Sequence, residues 1–198
     1  MTLSLSVILA LAEACAPTVA PETLLSVVHV ESRFDPLAIG VNGKPRVAVS
    51  AATPREAAAK ASALIAAGRS VDLGLAQINS KNLGWLDLSV ADAFDPCRNL
   101  AAASKVLQAG YESGAEAQPA LRRALSRYNT GDARRGFANG YVAKVERAAA
   151  QVVPAIQAAP AMTPEAAAPP PPAPAWDVFG QAAPTSFVIR VSAPGDAP

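Results

Sequence analysis

The sequence predicts a predominantly α domain of the α+β class, with a small β element and a Pro/Ala-rich tail. Three observations carry this. Eleven of the 18 prolines fall in the last 45 residues, a density that no helix or central strand absorbs. The first 153 residues show repeated helix-start signatures followed by apolar side chains spaced three and four apart. Among them, residues 36–52 combine β-branched side chains with Gly40, Asn42-Gly43 and Pro45. The expected organisation is a body over 1–153, a linker over 154–175 and a C-terminal segment over 176–198.

Composition removes several function classes. A chain of 198 residues suits one domain and an appendage. The body holds 16 Lys/Arg against 13 Asp/Glu, a mild excess that favours an anionic polymer. It makes no case for nucleic acid, which wants a strongly basic face. No run approaches the roughly eighteen apolar residues of a bilayer span, so no integral membrane segment is expected. With one histidine and two distant cysteines, neither a metal site nor a cofactor is expected.

Each element has its own signal. Residues 4–11 are apolar and Ala12-Glu13-Ala14 has the form of a leader-peptide cleavage site. No Lys or Arg precedes the stretch, and it is short. A first helix belonging to the body is therefore expected, with the export route left open. Pro21 opens a second helix, broken at Phe34-Asp35-Pro36. Asn42-Gly43 then predicts a short hairpin. Thr53-Pro54-Arg55-Glu56 is a capping box opening an Ala-rich helix to about residue 67, stopped by Gly68. Residues 69–80 alternate irregularly around Gly74 and read as strand or loop. Asp95-Pro96 starts a helix to about residue 111. Two more helices are expected over 118–128, before Gly131, and over 139–153, stopped by Pro154.

Beyond it, 154–175 should be extended and disordered. Residues 176–179 and 186–191 are β-prone again. They read either as a strand folded back on the body or as a peptide that docks on a partner's sheet edge.

The helix from Pro21 carries the clearest chemical candidate. Leu24, Val27, Val28 and Glu31 share one face, so a carboxylic acid closes an apolar stripe. Burial and the negative end of the helix dipole both disfavour an ionised carboxylate there. An acid so placed is suited to donate a proton. The alternative is a partly exposed helix-end residue paired with Arg33 or another cation. Cys15 and Cys97, 82 positions apart, likewise admit two readings. They are two buried thiols, or a disulfide worth roughly 3–4 kcal/mol that implies an oxidising compartment.

The wider context is more specific. Glu31-Ser32 precedes Phe34-Asp35-Pro36-Leu37-Ala38, then Gly74-Leu75-Ala76-Gln77-Ile78-Asn79, then Ser126-Arg127-Tyr128-Asn129-Thr130-Gly131. This ordered set resembles the soluble lytic transglycosylases, a lysozyme-like family that cleaves peptidoglycan. Cys15-Ala16-Pro17, the stretch 38–43, the stretch 94–100 and Gly140-Tyr141-Val142 are similar to the subgroup of type IV secretion systems. The resemblance covers about residues 8 to 150. Ala76 departs from the Gly or Met more usual there. Arg127 and Thr130 replace small residues of the broader family and fit the subgroup.

The resemblance implies a lysozyme-like, α-rich domain with a sugar cleft beside its β element. It implies that Glu31 is the single catalytic acid/base. Gln77 would line the cleft, and Asn79 would either join it or cap the following helix. Tyr128 would hydrogen-bond the catalytic carboxyl group unless it is a core tyrosine. Asn129 would hold the cleft wall, Ser32 would orient Glu31 or an N-acetyl group, and Tyr141 would add an aromatic contact. The resemblance also favours the Cys15–Cys97 disulfide and a periplasmic location. Asp35 is expected to make a turn or cap a short helix rather than act as a second carboxylate. His29, on another helix face, is expected to be structural, and Arg122, Arg123, Arg127, Arg134 and Arg135 to form a solvated face that can also meet the anionic wall polymer.

The function expected on this basis is non-hydrolytic cleavage of the bond between N-acetylmuramic acid and N-acetylglucosamine, leaving a 1,6-anhydro end. Its purpose would be to open the wall for a secretion or conjugation channel, with residues 176–191 able to dock on channel subunits. The rivals are a hydrolytic muramidase and a glycan-binding assembly factor in which catalysis is dispensable.

Overall fold

The computed structural model describes residues 2–43, 47–114 and 116–158. The expectations for the C-terminal segment, from residue 159 onward, lie outside the described residues.

Eight helices and four short strands are described. Helix α1, Leu5–Cys15, is capped by Ser4 and buries Ile8 and Ala12, so the apolar N-terminal stretch is part of the core. Helix α2, Pro21–Ser32, buries Leu24, Leu25, Val27 and Val28 completely. Strands β1, Ile39–Val41, and β2, Val47–Val49, form the expected hairpin, with Gly40 opposite Ala48. Helix α3, Pro54–Ala66, starts at Thr53, whose Oγ1 accepts the Glu56 N–H, while Glu56 Oε2 accepts the Ala52 N–H at 2.8 Å. These reciprocal bonds satisfy donors that a helix start leaves open.

The ambiguous stretch after α3 resolves into β3, Val71–Leu73, and β4, Ile78–Asn79. The sheet order is β2-β1-β3-β4, antiparallel throughout, with Gly40 opposite Asp72 and Asp72 opposite Asn79. A 3₁₀ turn at Ser80–Asn82, helix α4, Leu83–Leu86, and a second 3₁₀ turn, Asp92–Phe94, follow. These short pieces carry too few residues to show a period in sequence. Helix α5, Pro96–Gly110, is capped by Asp95, whose Oδ1 accepts the Arg98 N–H at 2.8 Å. Helix α6, Ala117–Thr130, ends at Gly131 in the left-handed conformation, and α7, Arg135–Ala138, leads into α8, Tyr141–Ala158.

Helix α8 overruns its expected end and continues through Pro154 to Ala158. An interior proline removes one N–H and costs about 3 kcal/mol in an exposed helix. Here the apolar stripe of Tyr141, Val145, Ala148, Val152 and Ile156 carries the helix onward against the core. Ala150, whose carbonyl loses its helical partner, is exposed to water. Helix α8 thus occupies residues 154–158, which were expected to open the linker.

Helix α2 lies along α8, α1 packs on α5 and α2, and α5 packs on α6. Cys15 at the end of α1 and Cys97 at the start of α5 form a disulfide, with their Cα atoms 5.4 Å apart. Among the described residues, no helix is long and apolar enough to cross a membrane.

Candidate active site

The stripe on α2 sets the position of Glu31. Leu24, Val27 and Val28 are wholly buried, and Glu31, one turn further, emerges half-buried at the rim of a groove. The helix stops at once. Arg33 and Phe34 both take positive φ, 55° and 68°, and turn the chain away from the end of α2. Two successive non-glycine residues in that region are costly, and the surrounding structure holds them there. Phe34 places its ring 5.4 Å from His29, and the Arg33 N–H returns to the His29 carbonyl. Burial, and then the Arg33 charge, lower the pKa of His29 and favour its neutral form.

Two concavities meet at Glu31. One, of about 450 Å³, is walled by β3, β4 and α6 and includes Asp72, Asn79 and Tyr128. The other, of about 770 Å³, runs over β1 and β2 towards the start of α8 and includes Ser32, Tyr141 and Lys144. Glu31, Gln77 and Asn129 line both and form the waist of the groove. All seven residues expected from the sequence to form the site lie on it.

Their bonding differs from the expectation at the tyrosines. Tyr141, not Tyr128, donates its hydroxyl proton to the Glu31 carboxyl group, reaching Oε1 at 2.6 Å. Tyr128 donates to the Ala76 carbonyl at 2.7 Å. The physical reason is helix placement: Tyr141 begins α8, which runs along α2, whereas Tyr128 in α6 faces the loop after β3. Burial is the main cause that raises both phenols well above the ordinary tyrosine range, followed by the charge of Glu31. Both therefore stay protonated and able to donate.

The loop between β3 and β4 is held from two sides. Gly74 has φ 71°, and a Cβ there would lie 2.2 Å from the Ala93 carbonyl oxygen and 2.5 Å from Asn99 Nδ2. Only glycine fits this position. Asn99, fully buried, accepts the Ala76 N–H at 2.8 Å and donates to the carbonyls of Leu73 and Ala93. Ala76 thus gives its N–H to Asn99 and its carbonyl to Tyr128. Its own side chain is buried, so a larger group would have to displace this clamp.

Gln77 follows with φ 49°, and its amide nitrogen donates to the carbonyls of Ala38 at 3.1 Å and Gly74 at 3.0 Å. With both amide protons engaged, Oε1 is what Gln77 offers a ligand. Asn79 serves two ends. Its Oδ1 accepts the Lys81 N–H at the 3₁₀ turn, and its Nδ2 donates to Asp72 Oδ1 at 2.6 Å. Ser32 donates to the Val28 carbonyl at 3.4 Å, a helix back-bond that does not orient Glu31.

Asn129 Oδ1 accepts from Asn139 Nδ2 at 2.8 Å, and Asn139 Oδ1 accepts the Tyr141 N–H at 3.0 Å. The end of α6, the turn before α8 and the tyrosine on Glu31 are therefore linked in one chain. Asp35 accepts the Leu37 N–H at 3.0 Å, making the turn expected of it. The basic residues of α6 are partly paired: Arg122 with Glu146, and Arg123 and Arg127 with Glu112.

Three residues of the site were not anticipated: Asp72, Asn99 and Asn139. The alternation Val71-Asp72-Leu73 does place Asp72 opposite the core face. Asn139-Gly140 is a helix-start signal. Asn99 lies in the stretch 94–100 that carries the resemblance, but nothing in that stretch marks it as the residue that holds the loop.

With this geometry in place, comparison with known proteins is direct. The family model for the transglycosylase SLT domain matches residues 8–151. Protein virB1 of Agrobacterium fabrum (strain C58) is 44% identical over 172 residues, covering 85% of this chain and 69% of that protein. Protein virB1 of Rhizobium radiobacter is 46% identical over 148 residues, covering 73% of this chain and 62% of that protein. The type IV secretion system protein virB1 of Brucella suis biovar 1 is 41% identical over 172 residues, covering 81% of this chain and 72% of that protein. The aligned chain thus spans between 62% and 72% of these relatives' own lengths. No solved structure gives a significant match. A single family model accounts for nearly the whole body, and the relatives agree with it at 41–46% identity, so the chain belongs to the transglycosylase SLT domain family, the lytic transglycosylases.

Proposed function

We propose that this lytic transglycosylase domain cleaves peptidoglycan glycan strands without water, using Glu31 as both acid and base. The supporting observation is the Tyr141–Glu31 hydrogen bond at the waist of a groove that runs past both walls of the site. In the first half of the reaction Glu31 gives its proton to the oxygen between N-acetylmuramic acid and N-acetylglucosamine. That bond breaks with its electron pair leaving on oxygen. In the second half the muramoyl 6-hydroxyl oxygen bonds to the anomeric carbon of its own sugar, and its proton returns to Glu31. The carboxyl group is restored and a 1,6-anhydro end is formed. An intramolecular nucleophile brings an effective concentration far above that of a separate reactant, which removes the need for a second carboxylate to activate water.

The other groove residues have roles consistent with sugar binding. Gln77 Oε1 is an acceptor for an N-acetyl N–H or a hydroxyl, and Asn79 and Asn129 present amides to the same space. Tyr141 fixes the rotamer of the reacting carboxyl group. Ser32, engaged with the Val28 carbonyl, has its oxygen left to accept from substrate.

The relatives named as type IV secretion proteins support a further reading, in which the domain acts in the periplasm and opens the wall where such a channel assembles. Residues 176–191 are then the segment that docks on channel subunits. Deleting 159–198, which leaves α8 complete, should abolish channel assembly in cells while purified protein still digests peptidoglycan. Equal assembly with and without the segment refutes the docking role. Mass analysis of the digested wall tests the reaction itself: anhydro ends support it, and reducing muramic acid ends point to the hydrolytic rival.

A further inference from the structure

The two concavities that meet at Glu31 are continuous through the waist. Glu31, Gln77 and Asn129 line both, and bonds on the flanks of the groove hold each of these side chains. Tyr141 of α8 holds Glu31, and Asn139, in the turn before α8, holds Asn129. Gln77 has the length to partition the space, but its amide is drawn onto the backbone by the carbonyls of Ala38 and Gly74. Past the waist, Ala38, Gly40 and Ala48 give the larger side a low lining, with Gly40 directly opposite Ala48 across the hairpin. The smaller side is lined by the amides and hydroxyl of Asn42, Ser70, Asn79 and Asn82. Neither side is an enclosed cavity. Their volumes, about 450 and 770 Å³, each match a site that buries a ligand of drug size, about 300–1,000 Å³. A disaccharide belongs to that size class, so each direction from Glu31 has room for one.

We propose that this groove takes a glycan strand in its interior, with a disaccharide or more on each side of the bond that is cut, so that the domain acts on long strands from within and does not trim units from their ends. The inference rests on the transglycosylase reading of the site and deepens it, by naming where along the polymer the site acts. An enzyme that removes terminal units has to stop the strand. One side of the reacting bond must be closed beyond the unit released, and part of the binding energy then comes from a chain end. Here the waist is open to both sides, and sugars can be held in both directions from the acid. Contacts to those remote sugars supply the energy that distorts the ring at the waist, and no chain end is needed for it. Each interior cut leaves two long pieces, so few turnovers separate a strand that is anchored at many points along its length.

The test uses the oxidised full-length protein on long, soluble, uncross-linked glycan strands. One batch is left free, and the other is capped at both ends, by reduction to the alditol at one and by galactosylation at the other. Interior cutting is indifferent to the caps, so new anhydro ends should form on the two batches at rates within about tenfold of each other. A larger loss on capped strands overturns the proposal, because it shows that turnover draws its binding energy from a chain end. Size-exclusion chromatography of the free batch gives the second readout. Early in the digest it should show strands of every intermediate length and little free disaccharide. Anhydro-disaccharide as the first and main product overturns the proposal. Wild-type digests without anhydro ends on either batch would overturn the transglycosylase reading and this inference with it. Anhydro ends confined to terminal disaccharides would overturn this inference alone.

Discussion

The Tyr141 hydroxyl meets Glu31 Oε1 at 2.6 Å, joining the first residue of α8 to the last turn of α2 across 110 positions of sequence. This contact orients the carboxyl group to which the proposed chemistry is assigned. Tyr141→Phe removes the donor and leaves the packing of a buried ring. Glu31 becomes a carboxylate as its proton leaves, and a hydrogen bond to a charged group is worth about 1.5–3 kcal/mol, so kcat should fall about 10- to 100-fold with KM little changed. Steady-state kinetics on soluble glycan strands checks this, and an unchanged kcat would remove Tyr141 from the mechanism.

Alkaline stability should report the buried phenols. Burial, then the charge of Glu31, raise Tyr128 and Tyr141 well above the ordinary range, while an unfolded chain releases such protons near about pH 10. The folded state then binds more protons than the unfolded one. Stability is unaffected below about pH 10 and falls above it, by about 1.4 kcal/mol per pH unit for each phenol. Urea unfolding between about pH 9 and about pH 11 measures the slope. Tyr141→Phe should reduce it by one phenol's share, and an identical slope in the two proteins would contradict the assignment.

The loop that carries Gln77 depends on Asn99. Asn99→Ala strips partners from the Ala76 N–H and from the carbonyls of Leu73 and Ala93, all in a buried setting. The loss should reach about 3 kcal/mol or more. Gly74→Ala should be at least as damaging, since its Cβ has no room. Chemical denaturation reads both, and a loss under about 1 kcal/mol in either would show that the loop is held by other means.

Reducing the Cys15–Cys97 disulfide should cost about 3–4 kcal/mol, because it frees an 82-position separation in the unfolded chain. For a domain of this size that is about 10 °C in melting temperature. Neither cysteine lines the groove, so protein that remains folded after Cys15→Ser and Cys97→Ser should retain its kcat. Calorimetry and activity on the same sample separate the two effects, and an unaltered melting temperature would refute the stabilising role.

The parts legible in the sequence are those written locally. The α2 stripe ending at Glu31, the Thr53 and Asp95 caps and the Asn42-Gly43 hairpin each depend on neighbours a few positions away. What was not legible depends on distant packing. Which tyrosine meets Glu31 is decided by where α8 lies on α2, and no local pattern in α6 or α8 contains that. The run of α8 through Pro154 is decided by Val152 and Ile156 against the core, a tertiary gain that outweighs a local penalty. Asn99 satisfies three backbone groups that come together only when β3 has folded over α5.

The most direct measurement is digestion of peptidoglycan in water enriched in heavy oxygen, with wild type beside Glu31→Gln, followed by mass analysis of the muropeptides. Wild type should leave anhydro-muramoyl ends free of the isotope, and Glu31→Gln should reduce turnover at least about 1,000-fold. Heavy oxygen at the new ends, or a Glu31→Gln protein that still cuts the strand at the wild-type rate, would contradict it.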